Sequence, residues 1–397
     1  MASTAHPDSI SARGNLLPSL TGARFIAALV VFLVHAGMER LFQDEQVDTL
    51  FANAFTNTGW MAMAFFFLLS GFVLTWSTRP DDSANTIWRR RLLRIYPNHV
   101  VTFLIALALL WVVGEGPTFG QAVSNLFLVH TWVPDPSFYV SVNGVSWSLS
   151  ADLLFYLMFP LWLFLANRIR PTLLWACVVA AVLAIVALAV AADLWIPAQP
   201  ELPELGVSNL QFWAVYIFPA SRALEFLIGI LLARIVLTGQ WRGPGLGTVL
   251  VMVGVAHVVA FNVPQVYSLV AVGVVPAALL VLALATADLR GAWTPLRNPT
   301  MVFLGELSFA FYLLHRMVQH YGHYVIGPES SYSTPVAVGL ILAALLVTLG
   351  LSWLLYTFIE QPITRNWARR RHPALAASGP GSSERGSNPR SERTPRA

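Results

Sequence analysis

The sequence contains no lysine: all 24 basic residues among its 397 are arginine. That excludes a Walker-A phosphate loop and any lysine Schiff-base or lysine-base chemistry. A single cysteine, Cys177, sits within an apolar run, so an intramolecular disulfide, a thiolate metal cluster and a Cys-x-x-Cys redox pair are all excluded. There is no Gly-x-Ser-x-Gly elbow for a serine nucleophile, and no metal site is expected. Charged residues make up only 11% of the chain, and no stretch of ordinary composition is long enough to form a separate soluble domain. The first residues lack a cationic region and a small-residue cleavage site, so the first apolar segment is expected to be a retained helix rather than a signal peptide.

What the chain does have is apolar sequence. Hydrophobic residues account for 56% and the mean hydropathy is +0.63. Apolar runs of membrane-spanning length recur almost to the end, which predicts an all-α polytopic membrane bundle of about ten helices. The expected spans begin with Leu20–Met38, Gly59–Trp76 and His99–Val113. They continue with Trp147–Asn167, Thr172–Leu194, a sixth starting between Asn209 and Ala220, Leu246–Phe261, Tyr267–Thr286, Val302–Val325 and Pro335–Phe358. Phe119–Trp132 is too short to span and reads as re-entrant or interfacial. Arginines collect on alternate connections, most densely in Arg79 and Trp88-Arg89-Arg90-Arg91-Leu92-Leu93-Arg94, so the positive-inside rule puts both termini in the cytoplasm. Residues 1–17 are expected to be a mobile cytoplasmic end, 18–371 one membrane domain, and 372–397, rich in Ser, Gly, Pro and Arg, a disordered tail. The expected localisation is a cell inner membrane, multi-pass and bacterial, with the bilayer rather than nucleic acid as partner.

Polar residues inside such spans are costly and mark pathways or reaction sites. Arg24 and His35 lie eleven residues apart on the first helix, about three turns, and so share one face about 16 Å apart. The loop charges place Arg24, Arg89, Arg90, Arg91, Arg94 and Glu360 near the inner face. His35, Asp152, Arg222, Glu225, Glu306, Ser308, Tyr312 and His315 are expected deeper or toward the outer half. A neutral imidazole accepts a proton near pH 7 and a carboxylate can orient it, so His35 is the expected base, with Asp152 as its provisional acidic partner. The alternative is that Asp152 caps its own helix. Arg222 and Glu225, three apart, could simply neutralise each other. The inner arginines suit a phosphate-bearing ligand, because guanidinium forks bind phosphate bidentately. His130, His257, His320 and His323 read as packing or interface residues.

These same residues resemble the acyltransferase-3 family of integral membrane O-acyltransferases. The resemblance rests on the Arg24/His35 pair, Phe66-Phe67-Leu68-Leu69-Ser70-Gly71-Phe72, Arg90-Arg91-Leu92-Leu93-Arg94 with Tyr96-Pro97, and Trp147-Ser148-Leu149 followed by an acid and Phe155-Tyr156. It continues through Arg222-x-x-Glu225-Phe226-x-x-Gly229, Leu304-Gly305-x-x-Ser308 with Tyr312 and His315, and Ile359-Glu360-x-Pro362. Many relatives carry Glu-Glu where this chain has Asp152-Leu153. No soluble hydrolase-like domain of the kind some envelope-polysaccharide members carry is expected.

The resemblance implies transfer of an acyl group, often acetyl, from acyl-CoA to a hydroxyl of a sugar, a macrolide-like glycosylated natural product or an envelope saccharide. Acyl-CoA would be a cosubstrate, with no permanently bound cofactor. His35 would be the base or proton shuttle and Arg24, Arg90, Arg91 and Arg94 would hold the donor. Ser70, Arg222, Glu225, Ser308, Tyr312, His315 and Glu360 would play supporting roles. A proton- or solute-coupled transporter is the alternative, since buried histidines and carboxylates also build proton relays.

Overall fold

The computed structural model describes residues 17–203, 205–327 and 330–365. The expected N-terminal end, apart from residue 17, the tail over 372–397 and the arginine run 369–371 lie outside the described residues. The chain is an all-α polytopic membrane bundle, and among the described residues eight helices are long and apolar enough to cross a bilayer. These are α1 (Pro18–Met38), α2 (Glu45–Ser77), α3 (Ala84–Val113), α5 (Trp147–Arg168), α6 (Leu174–Trp195), α9 (Gln265–Leu289), α10 (Pro299–Ile326) and α11 (Thr334–Leu355). The two other expected spans correspond to α7 (Pro219–Leu237), which carries Arg222, Glu225 and Arg234, and α8 (Leu246–Ala260), which at 15 residues is shorter than a full crossing. Between α3 and α5 lies α4 (Phe119–Leu126).

Two helices begin well ahead of their apolar runs, because local caps start them. Asp44 accepts hydrogen bonds from the amides of Gln46 and Val47 at 2.9 and 3.2 Å, so α2 starts at Glu45 rather than Gly59. Ser83 accepts from the amide of Thr86 at 3.3 Å, so α3 starts at Ala84 rather than His99. The arginine cluster is therefore helical, and its members point in different directions.

The bundle's centre is α2, the most buried of the spans, packed against α7, α9 and α1, while α1 also packs along α10. Two motif glycines explain how tightly α2 and α7 meet. A Cβ on Gly71 would strike the carbonyl of Phe226, and one on Gly229 would strike the carbonyl of Leu68. The backbones thus approach as only small residues permit in a membrane, where lipid gives no hydrophobic push between helices. By contrast α6 and α11 are apolar on all sides and mostly face outward.

The stretch from α4 to residue 146 does not span. It folds in against the bundle, and polar side chains satisfy its irregular backbone. Asn125 Nδ2 donates to the carbonyl of Ser141 at 2.7 Å and to Ser146 Oγ at 3.0 Å, and Ser150 Oγ donates to the carbonyl of Leu128 at 2.6 Å. As a result α5 begins at an already buried point: Trp147 packs on Tyr216, with ring centroids 4.9 Å apart.

Candidate active site

Two cavities lie within the bundle and share Met63 and Tyr312 as common wall. The first, about 740 Å³, is lined by Arg24 of α1, Arg91 and Arg94 of α3, Ser70 of α2, Asp152 and Tyr156 of α5, Ser308 of α10 and Glu360. The second, about 610 Å³, is lined by His35 at the other end of α1, with Trp60, Trp147, Tyr216, Tyr321, Glu115, Gln121, Asn143, Arg316 and His320. The helical phase of Arg24 and His35 therefore puts both on the cavity-lining face, one in each chamber. A third depression, about 940 Å³, is a mainly apolar furrow between α3, α10 and α11 that shares Met317 and Tyr321 with the histidine chamber and has Glu39 and His323 in its wall.

In the arginine cavity, Arg91 Nη2 donates to Ser77 Oγ at 3.3 Å and its guanidinium stands 5.9 Å from the centre of the Tyr156 ring. Ser70 Oγ lies 3.4 Å from the Tyr156 hydroxyl. A π-type turn over Tyr356–Glu360 swings Glu360 inward, where Asn98 Nδ2 donates to its Oε2 at 2.7 Å. Tyr356 donates to Glu306 Oε2 at 2.8 Å on the same wall. Arg90 departs from expectation. One residue of helical rotation turns it away from the cavity, and its Nη1 pairs with Asp82 Oδ2 at 2.9 Å.

Asp152 departs too. It lies in the arginine cavity, not beside His35, and its Oδ1 is buried without a hydrogen-bond partner. The reason is the inward-folded segment before α5, which starts that helix deep in the bundle, so that one further turn reaches the arginine side. Glu306 and Ser308 line the arginine cavity for the corresponding reason on α10: they precede Tyr312 by one to two turns.

The partner of His35 is a second histidine. His315 Nε2 lies 2.9 Å from His35 Nδ1, His315 Nδ1 lies 2.6 Å from the carbonyl of Tyr312, and His35 Nδ1 lies 3.0 Å from the carbonyl of Val31. His315 is fully buried, stacked on Phe311 at an interplanar angle of 9° and flanked by Phe32. Gln319 Nε2, one turn on, donates to the carbonyl of Phe32 at 2.9 Å and ties α10 to α1.

Just beyond α1, Glu39 takes an ion pair from Arg316, a hydrogen bond at 3.0 Å from His323 Nδ1 and a longer contact at 3.7 Å with His320. Burial by itself would raise the Glu39 carboxyl, but His320, Arg316 and His323 outweigh it and hold the group down at about 2. His320 and His323 are thus members of a charged clamp rather than packing residues. The sequence signal for that clamp is the spacing of Arg316, His320 and His323 at three and four residues, one face of α10.

Arg222 and Glu225 do pair, at 3.0 Å, and both are fully buried. The guanidinium sits 4.9 Å from the centre of the Tyr216 ring and 5.2 Å from that of Phe67. Neither residue lines either chamber, and their reach toward the site runs through Tyr216 in the histidine chamber and Phe67 in the arginine cavity.

A family model described as an acyltransferase domain matches residues 17–357. The chain is 42% identical over 377 residues to acyltransferase MdmB of Streptomyces mycarofaciens, an alignment covering 93% of this chain and 96% of that protein. No solved structure matches. The chain belongs to the acyltransferase-3 family and is a multi-pass membrane acyltransferase.

Proposed function

We propose that this acyltransferase moves a short acyl group, acetyl in the simplest case, from acyl-CoA to a hydroxyl of a sugar, a glycosylated natural product or an envelope saccharide, within a bacterial inner membrane. The observation that carries the reading is the pair of chambers divided by Met63 and Tyr312, four arginines (Arg24, Arg91, Arg94 and Arg365) lining one and a histidine base lining the other. Arg24, Arg91 and Arg94 offer guanidinium forks for the phosphates of CoA. The thin pantetheine arm then carries the thioester toward Tyr312. By the charge rule the arginine chamber opens to the cytoplasm, where acyl-CoA is found.

The histidine chamber suits a saccharide. Trp60, Trp147, Tyr216 and Tyr321 supply flat apolar faces, while Glu115, Gln121, Asn143, Arg316 and His320 supply hydrogen-bonding edges. His35 takes the proton of the acceptor hydroxyl, and the freed electron pair of that oxygen forms the bond to the thioester carbonyl carbon. The carbon–sulfur bond breaks as the sulfur leaves with its electron pair, and the proton held by His35 passes to the CoA thiolate. The products are the ester and free CoA.

The test is purified protein in nanodiscs with labelled acetyl-CoA and a panel of glycosides. Acceptor-dependent release of CoA is expected, and His35→Ala should lower it at least about 100-fold while leaving acyl-CoA binding intact. Full turnover by His35→Ala overturns this reading.

A further inference from the structure

We propose that His315 is a positioning residue that fixes the tautomer of His35, so that the ring nitrogen facing the acceptor is the bare one. A carbonyl oxygen only accepts hydrogen bonds. His315 Nδ1, 2.6 Å from the carbonyl of Tyr312, must carry the hydrogen. A neutral His315 then has an unprotonated Nε2, and this atom faces His35 Nδ1 at 2.9 Å. Of two facing nitrogens one has to donate, so the hydrogen belongs to His35 Nδ1. That leaves His35 Nε2 with its lone pair free, on a residue that lines the acceptor chamber.

The opposite tautomer is penalised twice. It would set a bare His35 Nδ1 against the bare nitrogen of His315 and, at 3.0 Å, against the carbonyl of Val31. His315 cannot turn to accommodate it, because its ring is fully buried between Phe311 and Phe32. The backbone of α10 thus dictates, through two rings, which nitrogen of α1 is basic. A carboxylate orients a histidine by accepting from it and also draws charge onto it. His315 orients by accepting alone and adds no negative charge to the chamber wall.

The role of His35 as base rests on the reading above, whereas the tautomer has a readout of its own. In protein carrying 15N-labelled histidine, the His35 ring signals, identified by their loss in His35→Ala, should report hydrogen on Nδ1 and none on Nε2 at neutral pH. His315→Phe, which keeps a flat ring but offers no acceptor, should give a mixture of tautomers at His35. It should also lower kcat about 100-fold or more, with KM for acyl-CoA and acceptor changed less than about threefold. His315→Gln, whose amide oxygen can accept at the position of Nε2, should restore a single tautomer and recover at least about tenfold of the lost kcat. Hydrogen on Nε2 in the wild-type protein overturns the proposal. So does a single Nδ1–H tautomer in His315→Phe, since the Val31 carbonyl would then suffice, or equal kcat in the Phe and Gln variants. A correct tautomer pattern in protein that never consumes acyl-CoA upholds the pairing and overturns only the donor assignment.

Discussion

The hydroxyl of Tyr312 accepts a hydrogen bond from Ser148 Oγ at 2.9 Å and donates its own to the carbonyl of Val145 at 3.0 Å. These two bonds tie α10 to the start of α5 and hold the ring as the partition between the chambers. Removing the hydroxyl leaves Ser148 and the Val145 carbonyl buried with one partner fewer, a loss of about 1–1.5 kcal/mol. Tyr312→Phe should therefore lower kcat about tenfold. It should also raise the fraction of acyl-CoA hydrolysed without acceptor, since a looser partition admits water. Measuring CoA release with and without acceptor checks both effects.

The arginines separate by direction, not by number. Arg24→Gln, Arg91→Gln and Arg94→Gln should each raise KM for acyl-CoA about tenfold or more, with KM for acceptor little changed, because each removes a charge-assisted contact of about 1.5–3 kcal/mol. Arg90→Gln should change KM for acyl-CoA less than about threefold, since its partner is Asp82 outside the cavity. Equal effects at Arg90 and Arg91 would contradict the chamber assignment.

The α2–α7 contact predicts a stability effect with no chemistry in it. Gly71→Ala drives a methyl group into the carbonyl of Phe226 and should cost about 3 kcal/mol. Gly254→Ala, on α8 with open space around it, should be close to neutral. Thermal unfolding in detergent, followed by tryptophan fluorescence, distinguishes the two.

The Glu39 clamp predicts a pH dependence. The folded carboxyl sits at about 2, below its ordinary value near 4.5, so its contribution is fully present above about 4.5 and lost as pH falls through about 2. Glu39→Gln should therefore lower stability at pH 5 and above by about 2 kcal/mol, the worth of a charge-assisted hydrogen bond in a buried setting. The gap between wild type and variant should shrink steadily below pH 4. Melting temperatures of both proteins across that range provide the check, and a gap that stayed constant down to pH 2 would contradict the clamp.

The fold class and most helices were legible because lipid leaves backbone polar groups few options, so hydropathy alone marks the spans. Arg24 and His35 were legible as a pair because helical phase is a property of spacing. Asp152 was misplaced because its depth was counted from a presumed membrane surface, and the buried α4–α5 segment moves that origin inward. The position of Arg90 outside the cavity was not legible because charge density does not reveal rotation, and a capped helix turns adjacent arginines about 100° apart. His315 was visible as a residue but not as the partner of His35, since the pairing depends on how α1 and α10 are packed and no local pattern encodes it. The aromatic walls of the histidine chamber were hidden for a different reason: in a chain this rich in Trp, Tyr and Phe, an aromatic lining a cavity looks like any other.

The two chambers share only Met63 and Tyr312, and this has a consequence for the order of events. With donor and acceptor in separate chambers, as proposed, neither would need to leave before the other arrives. Initial rates at several fixed acceptor concentrations should give double-reciprocal lines that intersect, the pattern of a ternary complex. Parallel lines would instead report an acyl group parked on the protein between two half-reactions.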